Sequence, residues 1–235
     1  MATVKEITAD EYEIIKGFYQ KQDSFFRDYL RETLGPPKLS PLKSIEGQER
    51  EQEQLIEKCL KFRQDDIGRG LQLFIDACKN EESTIFNDIL ARAQLQSLAL
   101  VEGKEITTFL IGSDFEWLDK IVERKFQSHN YEESSCMFRF MIQMNSFFVP
   151  AWVGWADSEK NLGHLEIVES IYDIAMESFP YNFYLVLFAA DFYISYNQKN
   201  KAGLVLNKAK EKLIEEGMQS SKSFQAITKL LGKLA

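Results

Sequence analysis

Histidine and cysteine are scarce in this chain of 235 residues: two histidines, His129 and His164, and three cysteines, Cys59, Cys78 and Cys136. An odd number of thiols, with no C-x-x-C spacing and no histidine cluster nearby, excludes a sequence-legible zinc or disulfide framework. The thiols read instead as small buried hydrophobes in a reducing compartment. The E-x-x-H of carboxylate-bridged metal bundles, H-E-x-x-H, calcium loops, G-x-x-x-x-G-K phosphate loops and G-x-S-x-G nucleophile elbows are all missing. Five prolines and 12 glycines are too few for an all-β chain with many tight turns. No apolar run reaches the roughly 18–20 residues of a membrane span. The opening MATVKEITADEYE lacks the basic and apolar regions of a signal peptide. Lys and Arg (28) are outnumbered by Asp and Glu (36), leaving a net charge of −8 that disfavours binding to a phosphate backbone. These absences lead to the expectation of a non-enzymatic cytoplasmic protein with no metal, no cofactor, no nucleic-acid partner and no direct membrane insertion.

Hydrophobic residues (45%) and charged residues (27%) are balanced as in a chain that buries a core. Prolines stand only at 36, 37, 41, 150 and 180, and apolar residues recur every three or four positions, so the fold class is all-α. Thr8 and Glu11 have capping-box spacing, and Gly35-Pro36-Pro37 is a stop, which brackets a first helix. A linker is expected near 35–47, followed by further helices through EQEQLIEKCLKFR and GLQLFIDACK. Gly68-Arg69-Gly70 predicts a local helix interruption, and Asp65-Asp66 a helix start. Residues 1–112 are thus an N-terminal helical region, and 113–235 a second domain that opens on the capping-box spacing of Ser113 and Glu116.

That second domain is periodic. Units of 34 residues begin at Phe115, Val149 and Phe183 without gaps. Their fourth positions are Leu118, Trp152 and Val186, their seventh Ile121, Trp155 and Ala189, and their eighth Val122, Ala156 and Ala190. In the second half of each unit, position 20 holds Ser134, Val168 and Ala202, position 24 Phe138, Tyr172 and Leu206, and position 27 Met141, Ala175 and Ala209. Small residues where two helices approach, with large ones between, suit a stack of helix-turn-helix units. A terminal helix over 219–235, SSKSFQAITKLLGKLA, has serine caps and an apolar face of Phe224, Ile227, Leu231 and Leu234, which suits a cap on the stack.

This pattern resembles the tetratricopeptide repeat, the second unit most closely, through Trp152, Leu165, Tyr172, Ala175 and Pro180. The first unit departs from it, with Lys125 where an aromatic is usual, Ser134 for Ala and Ser146 for Pro. The resemblance implies a concave groove lined by the first helix of each unit, with Asp119, Glu123, Phe126, Val153, Asp157, Lys160, Tyr184, Leu187, Asp191 and Ile194 as its partner-binding residues. Position 9 is acidic three times, as Glu123, Asp157 and Asp191. Carboxylates among apolar side chains suit an extended segment, gripping backbone amides or a Lys while apolar side chains enter pockets.

Three such units and one terminal helix in an acidic chain also resemble the class II chaperones of type III secretion systems. The stretch from His129 to Leu213 follows that family's order: a turn ending in Tyr131, a bulky second helix in the first unit, Gly163 before the turn of the second, and Ala189-Ala190-Asp191 in the third. The resemblance covers about 113–235 and implies a bacterial cytoplasmic chaperone and virulence factor. Its expected client is an extended segment of a hydrophobic, translocator-like secreted protein, and homodimers are common in the family. A general repeat adaptor or scaffold, and an enzyme with its site in the N-terminal half, are the competing readings.

Overall fold

A computed structural model describes residues 44–78, 112–179 and 182–234 without a break, together with parts of 27–36 and 85–92. Among the described residues all regular structure is helical. The helices described from end to end are α1 (Ile45–Cys78), α2 (Gly112–Gln127), α3 (Tyr131–Met144), α4 (Val149–Asn161), α5 (Leu165–Ser178), α6 (Phe183–Ser195), α7 (Lys199–Glu215) and α8 (Lys222–Leu234). The chain divides into two compact units, residues 1–148 and 149–235, so the hairpin of α2 and α3 is grouped with α1.

Three local expectations are corrected at α1. The helix begins within the stretch expected as a linker near 35–47, because the Ser44 Oγ accepts the Gly47 N–H at 3.1 Å and caps it. It then runs unbroken through Asp65-Asp66 and Gly68-Arg69-Gly70 to Cys78, with neither a start nor an interruption at those sites. The reason is tertiary. Ile56, Leu60, Ile67, Leu71, Phe74 and Ile75 form a buried face on a helix that packs against α3, and Gly70 lies against Phe140 of α3. A Cβ on Gly70 would stand 2.3 Å from the Cβ of Phe140, so the glycine provides contact room instead of a break. Asp66 is buried and pairs with Arg139 of α3 at 3.1 Å. Burial raises its carboxyl pKa even against the neighbouring guanidinium.

Thr8 and Glu11 lie outside the described residues, but the expected end of that first helix is seen. Gly35 is left-handed (φ 67°) and its N–H reaches the carbonyls of Arg31 and Glu32 at 3.1 and 3.2 Å. Ser113 already lies inside α2, so it is not the N-cap that its spacing with Glu116 suggests.

In the first unit α3 is the centre, packed by α1 and by α2. Ser134, Ser135, Cys136, Met137, Phe138, Phe140, Met141 and Met144 are all buried, as befits a helix covered nearly all round. The positions that depart from the repeat pattern are satisfied locally. The Ser134 hydroxyl donates to the Tyr131 carbonyl at 3.1 Å, and Lys125 reaches Glu133 at 2.7 Å.

In the second unit α4 pairs with α5, α6 with α7, and α8 lies against α7. Val186, Ala190, Leu206 and Ile227 form the core beneath α8, with Phe183, Leu213, Leu231 and Leu234 packed around them. The Ser221 Oγ accepts the Phe224 N–H at 3.1 Å and starts α8 as expected.

The period seen in the sequence recurs in the helix boundaries. The second helices begin at Tyr131, Leu165 and Lys199, one 34-residue step apart, and α4 and α6 begin at Val149 and Phe183. Each hairpin turns on one left-handed residue at the same step: His129 (φ 61°), Gly163 (φ 82°) and Asn197 (φ 58°). At each turn the next residue's N–H returns five residues: Asn130 to Lys125 (3.1 Å), His164 to Glu159 (3.0 Å) and Gln198 to Tyr193 (2.7 Å). These are Schellman closures, and Gly217 with Met218 repeats one at the end of α7. Of the 18 residues aligned at positions 4, 7, 8, 20, 24 and 27, all but Trp155 and Ala209 are buried.

Two substitutions test this packing. Gly70→Ala should lower unfolding stability by about 1–3 kcal/mol through overpacking against Phe140, read by urea denaturation. Stability within about 0.5 kcal/mol of wild type, the usual range for a neutral surface change, would mean that α1 and α3 do not approach this closely. Ile227→Ala, at a site with no exposed surface, should cost about 2–5 kcal/mol. A smaller loss in the same assay would show that α8 contributes little to the core.

Candidate functional site

Helix α6, FYLVLFAADFYIS, has Asp191 as its single charged residue. The Asn182 side chain fixes its start by accepting the Leu185 N–H at 3.2 Å. One side of α6 enters the core through Leu185, Val186, Ala189, Ala190, Phe192 and Tyr193. The opposite side carries Tyr184, Leu187, Phe188, Asp191 and Ile194, which are half-buried or exposed. A helix that stays apolar on its outward side is unusual for a solvated surface. With Leu230 of α8, the residues Leu187, Phe188, Asp191 and Ile194 line a depression of about 280 Å³. The Tyr184 and Phe188 rings stand 4.6 Å apart beside it.

Within residues 149–235 the structure therefore gathers Leu187, Asp191 and Ile194 of the expected groove, with Tyr184 next to them on the same helix. Asp157 and Lys160 of α4 pair with each other at 2.7 Å. Val153 does not line a surface; it is buried, and its side chain belongs to the core. Phe188 and Leu230 line the depression but were not expected. Phe188 is legible in hindsight from the unbroken apolar character of α6, whereas Leu230 comes from a helix whose only sequence signal is that of a cap.

Tyr172 of α5 is 2% exposed and packs against Phe192 of α6, the two rings tilted and their centroids 5.8 Å apart. Burial, followed by the nearby carboxylates of Asp157 and Asp191, pushes its phenol well above the ordinary tyrosine range and keeps it protonated. The same phenol thus senses carboxylates from both α4 and α6. Among the described residues Asp191 has no cation within ion-pair distance.

In residues 1–148 the expected site residues lie along α2. Glu123 is exposed and accepts from Gln127 at 3.2 Å. Phe126 packs edge-on against Tyr131, with ring centroids 5.1 Å apart. Asp119 is half-buried, and burial followed by the adjacent Glu123 raises its carboxyl pKa.

The turn histidines have structural partners. The His129 Nδ1 lies 2.6 Å from the Tyr131 hydroxyl. The His164 Nδ1 lies 2.8 Å from the buried Glu159 carboxylate, which also accepts the Trp155 Nε1–H at 3.2 Å. Among the described residues no three His, Cys, Asp or Glu side chains are grouped to hold a metal ion. Nor is any described helix long and apolar enough to cross a membrane.

Comparison with protein-family models, curated proteins and solved structures finds no match.

Asp119 offers a test by pH. Its folded-state pKa is raised, so the folded chain binds this proton more tightly than the unfolded chain, and stability is lost as pH rises through the folded pKa. Asp119→Asn should therefore raise Tm at pH 7 and leave it unchanged below about pH 3, where both states hold the proton. A Tm at pH 7 equal to or below wild type would mean that Asp119 is solvated or paired.

Proposed function

We propose that this chain is a non-enzymatic chaperone that holds an extended, apolar segment of a protein client against the outward side of α6. The observation that carries the reading is the exposure of Tyr184, Leu187, Phe188 and Ile194 on a helix with one charge, beside a depression sized for a side chain. Apolar pockets with a few polar groups are what extended-segment recognition requires. The type III secretion reading, with a hydrophobic translocator-like client guarded in the bacterial cytoplasm, is the particular form of this proposal. It draws on the resemblance over 113–235, and a homodimer or a one-to-one complex with client is the assembly it expects.

A general adaptor for folded partners is the second reading. Its support is a different surface: Ile167 and Ile174 of α5 and Leu204 of α7 are exposed, Leu204 to 71%. Leu204 borders a separate depression of about 370 Å³ with a charged rim of Asp173, Glu177 and Lys208.

The two readings separate on the identity of the bound protein. Purification of the full chain from its source cells should recover a stoichiometric apolar protein that is insoluble when expressed alone. Charge reversal of Glu123, Asp157 and Asp191 together should weaken that complex at least about tenfold while leaving the melting curve near wild type. Recovery of soluble, folded partners alone would favour the adaptor. Unchanged client affinity in the triple variant would remove the acidic positions from the binding surface.

A further inference from the structure

We infer that this protein associates head to tail with further copies of itself, the outward side of α5 in one copy docking against the outward side of α8 in the next. This goes beyond the client reading and does not depend on it. Charge is distributed unevenly along the second unit. Residues 149–198 hold seven carboxylates and one lysine, whereas residues 199–235 hold eight lysines and three glutamates. The two signs reach the surface as stripes with the same spacing. On α5 the stripe is Glu166, Asp173 and Glu177, and on α8 it is Lys222, Lys229 and Lys233. Each triplet runs i, i+7, i+11, which keeps it on one side of its helix at axial steps of about 10.5 and 6 Å. All six are exposed, and among the described residues none has an opposite charge within ion-pair distance. Asp173 has only the Tyr193 hydroxyl, at 3.5 Å, and Lys208 of α7 shares a depression with Asp173 and Glu177 without pairing to either.

The unequal steps fix the direction of the pair. With the two helices parallel, all three carboxylates meet all three lysines, whereas in an antiparallel pair the middle residues miss by about three positions. The apolar flanks agree. Viewed down the helix, Ile167 and Ile174 lie about 90° from the acidic stripe in one sense, and Thr228 and Gly232 about 100° from the lysine stripe in the other. Two helices that face each other in parallel bring such flanks to the same side. Ile167 and Ile174 are 43% and 50% exposed, and a Cβ on the exposed Gly232 would meet nothing within 4 Å. Nothing in the described fold of one copy calls for glycine there, and glycine weakens a helix interior. In the pair it lets the Ile174 side chain approach the backbone of α8.

Exposed ion pairs contribute little by themselves, so the three pairs set register and direction while burial of Ile167 and Ile174 adds desolvation. Because the two faces differ and every copy has both, the contact is heterologous and does not close at a dimer. Leu230, which lines the α6 depression, stands on the opposite side of the lysine stripe from Gly232, so the depression is not part of the contact.

The test is sedimentation velocity of the full-length protein over a concentration series, in about 0.05 M and about 0.5 M NaCl. At low salt the wild type should grow past a dimer as concentration rises, and at high salt that growth should be lost. One variant reverses the α5 stripe (Glu166→Lys, Asp173→Lys and Glu177→Lys) and a second the α8 stripe (Lys222→Glu, Lys229→Glu and Lys233→Glu). The six residues are exposed, so both variants should melt like wild type. Each variant alone should fail to grow, because its two faces then bear like charges. An equal mixture should grow again, since each variant offers the other a complementary stripe. Gly232→Leu should fold normally and associate about tenfold more weakly. A wild type that never exceeds a dimer at either salt would overturn the inference. Growth that persists in either triple variant would place the contact elsewhere, and a mixture that fails to grow would show that the stripes do not pair. If a triple variant melts early, Gly232→Leu decides the matter, and growth equal to wild type in that variant would reject the α8 face.

Discussion

The hairpins depend on one backbone constraint, a left-handed residue placed at the same step of each. His129, Gly163 and Asn197 each let the chain leave one helix and enter the next within three residues, and the N–H that follows closes onto the helix just completed. A turn this short leaves little freedom in where the second helix starts, so the two helices of a pair must lie side by side. Small residues are then favoured on the packed faces, and Ala156, Ala190 and Ala202 are fully buried. Glycine relieves the turn at 163, whereas histidine and asparagine bear a left-handed conformation that costs a typical L-residue about 1–2 kcal/mol.

Burial and exposure are distributed unequally between the compact units. In the first, α3 is enclosed by α1 and α2, and even its charged Arg139 is drawn into a pair with the buried Asp66. In the second, α6 is apolar on both sides but covered on only one. Leaving Leu187, Phe188 and Ile194 partly wet forfeits hydrophobic stabilisation of about 25 cal/mol per Å². An outward apolar side of this kind suits a surface that is completed by a ligand.

Much of the candidate site was legible along the chain, and the exceptions have physical causes. Tyr184, Leu187, Asp191 and Ile194 fall on one side of α6 because a helix repeats every 3.6 residues, so a periodic reading finds them together. Val153 occupies a position equivalent to Leu187, yet the core takes it up. Tyr172 reads as a plain core residue, since nothing in its own segment reveals that carboxylates from α4 and α6 add to burial in raising its pKa. Leu230 could not be placed either, because its role depends on where α8 packs.

The sequence alone determined the all-α class, the spacing of the hairpins and the residues that would be buried in them. All three follow from local period, from turn residues and from the size of side chains at recurring positions. Tertiary structure decided whatever depends on an approach between distant segments. Gly68-Arg69-Gly70 looks like a break until Phe140 is seen pressing on Gly70, and Asp65-Asp66 looks like a helix start until Arg139 pairs with Asp66. A glycine or a carboxylate has the same intrinsic preferences in either setting, and only the partner that arrives across the fold determines whether it ends a helix or packs one.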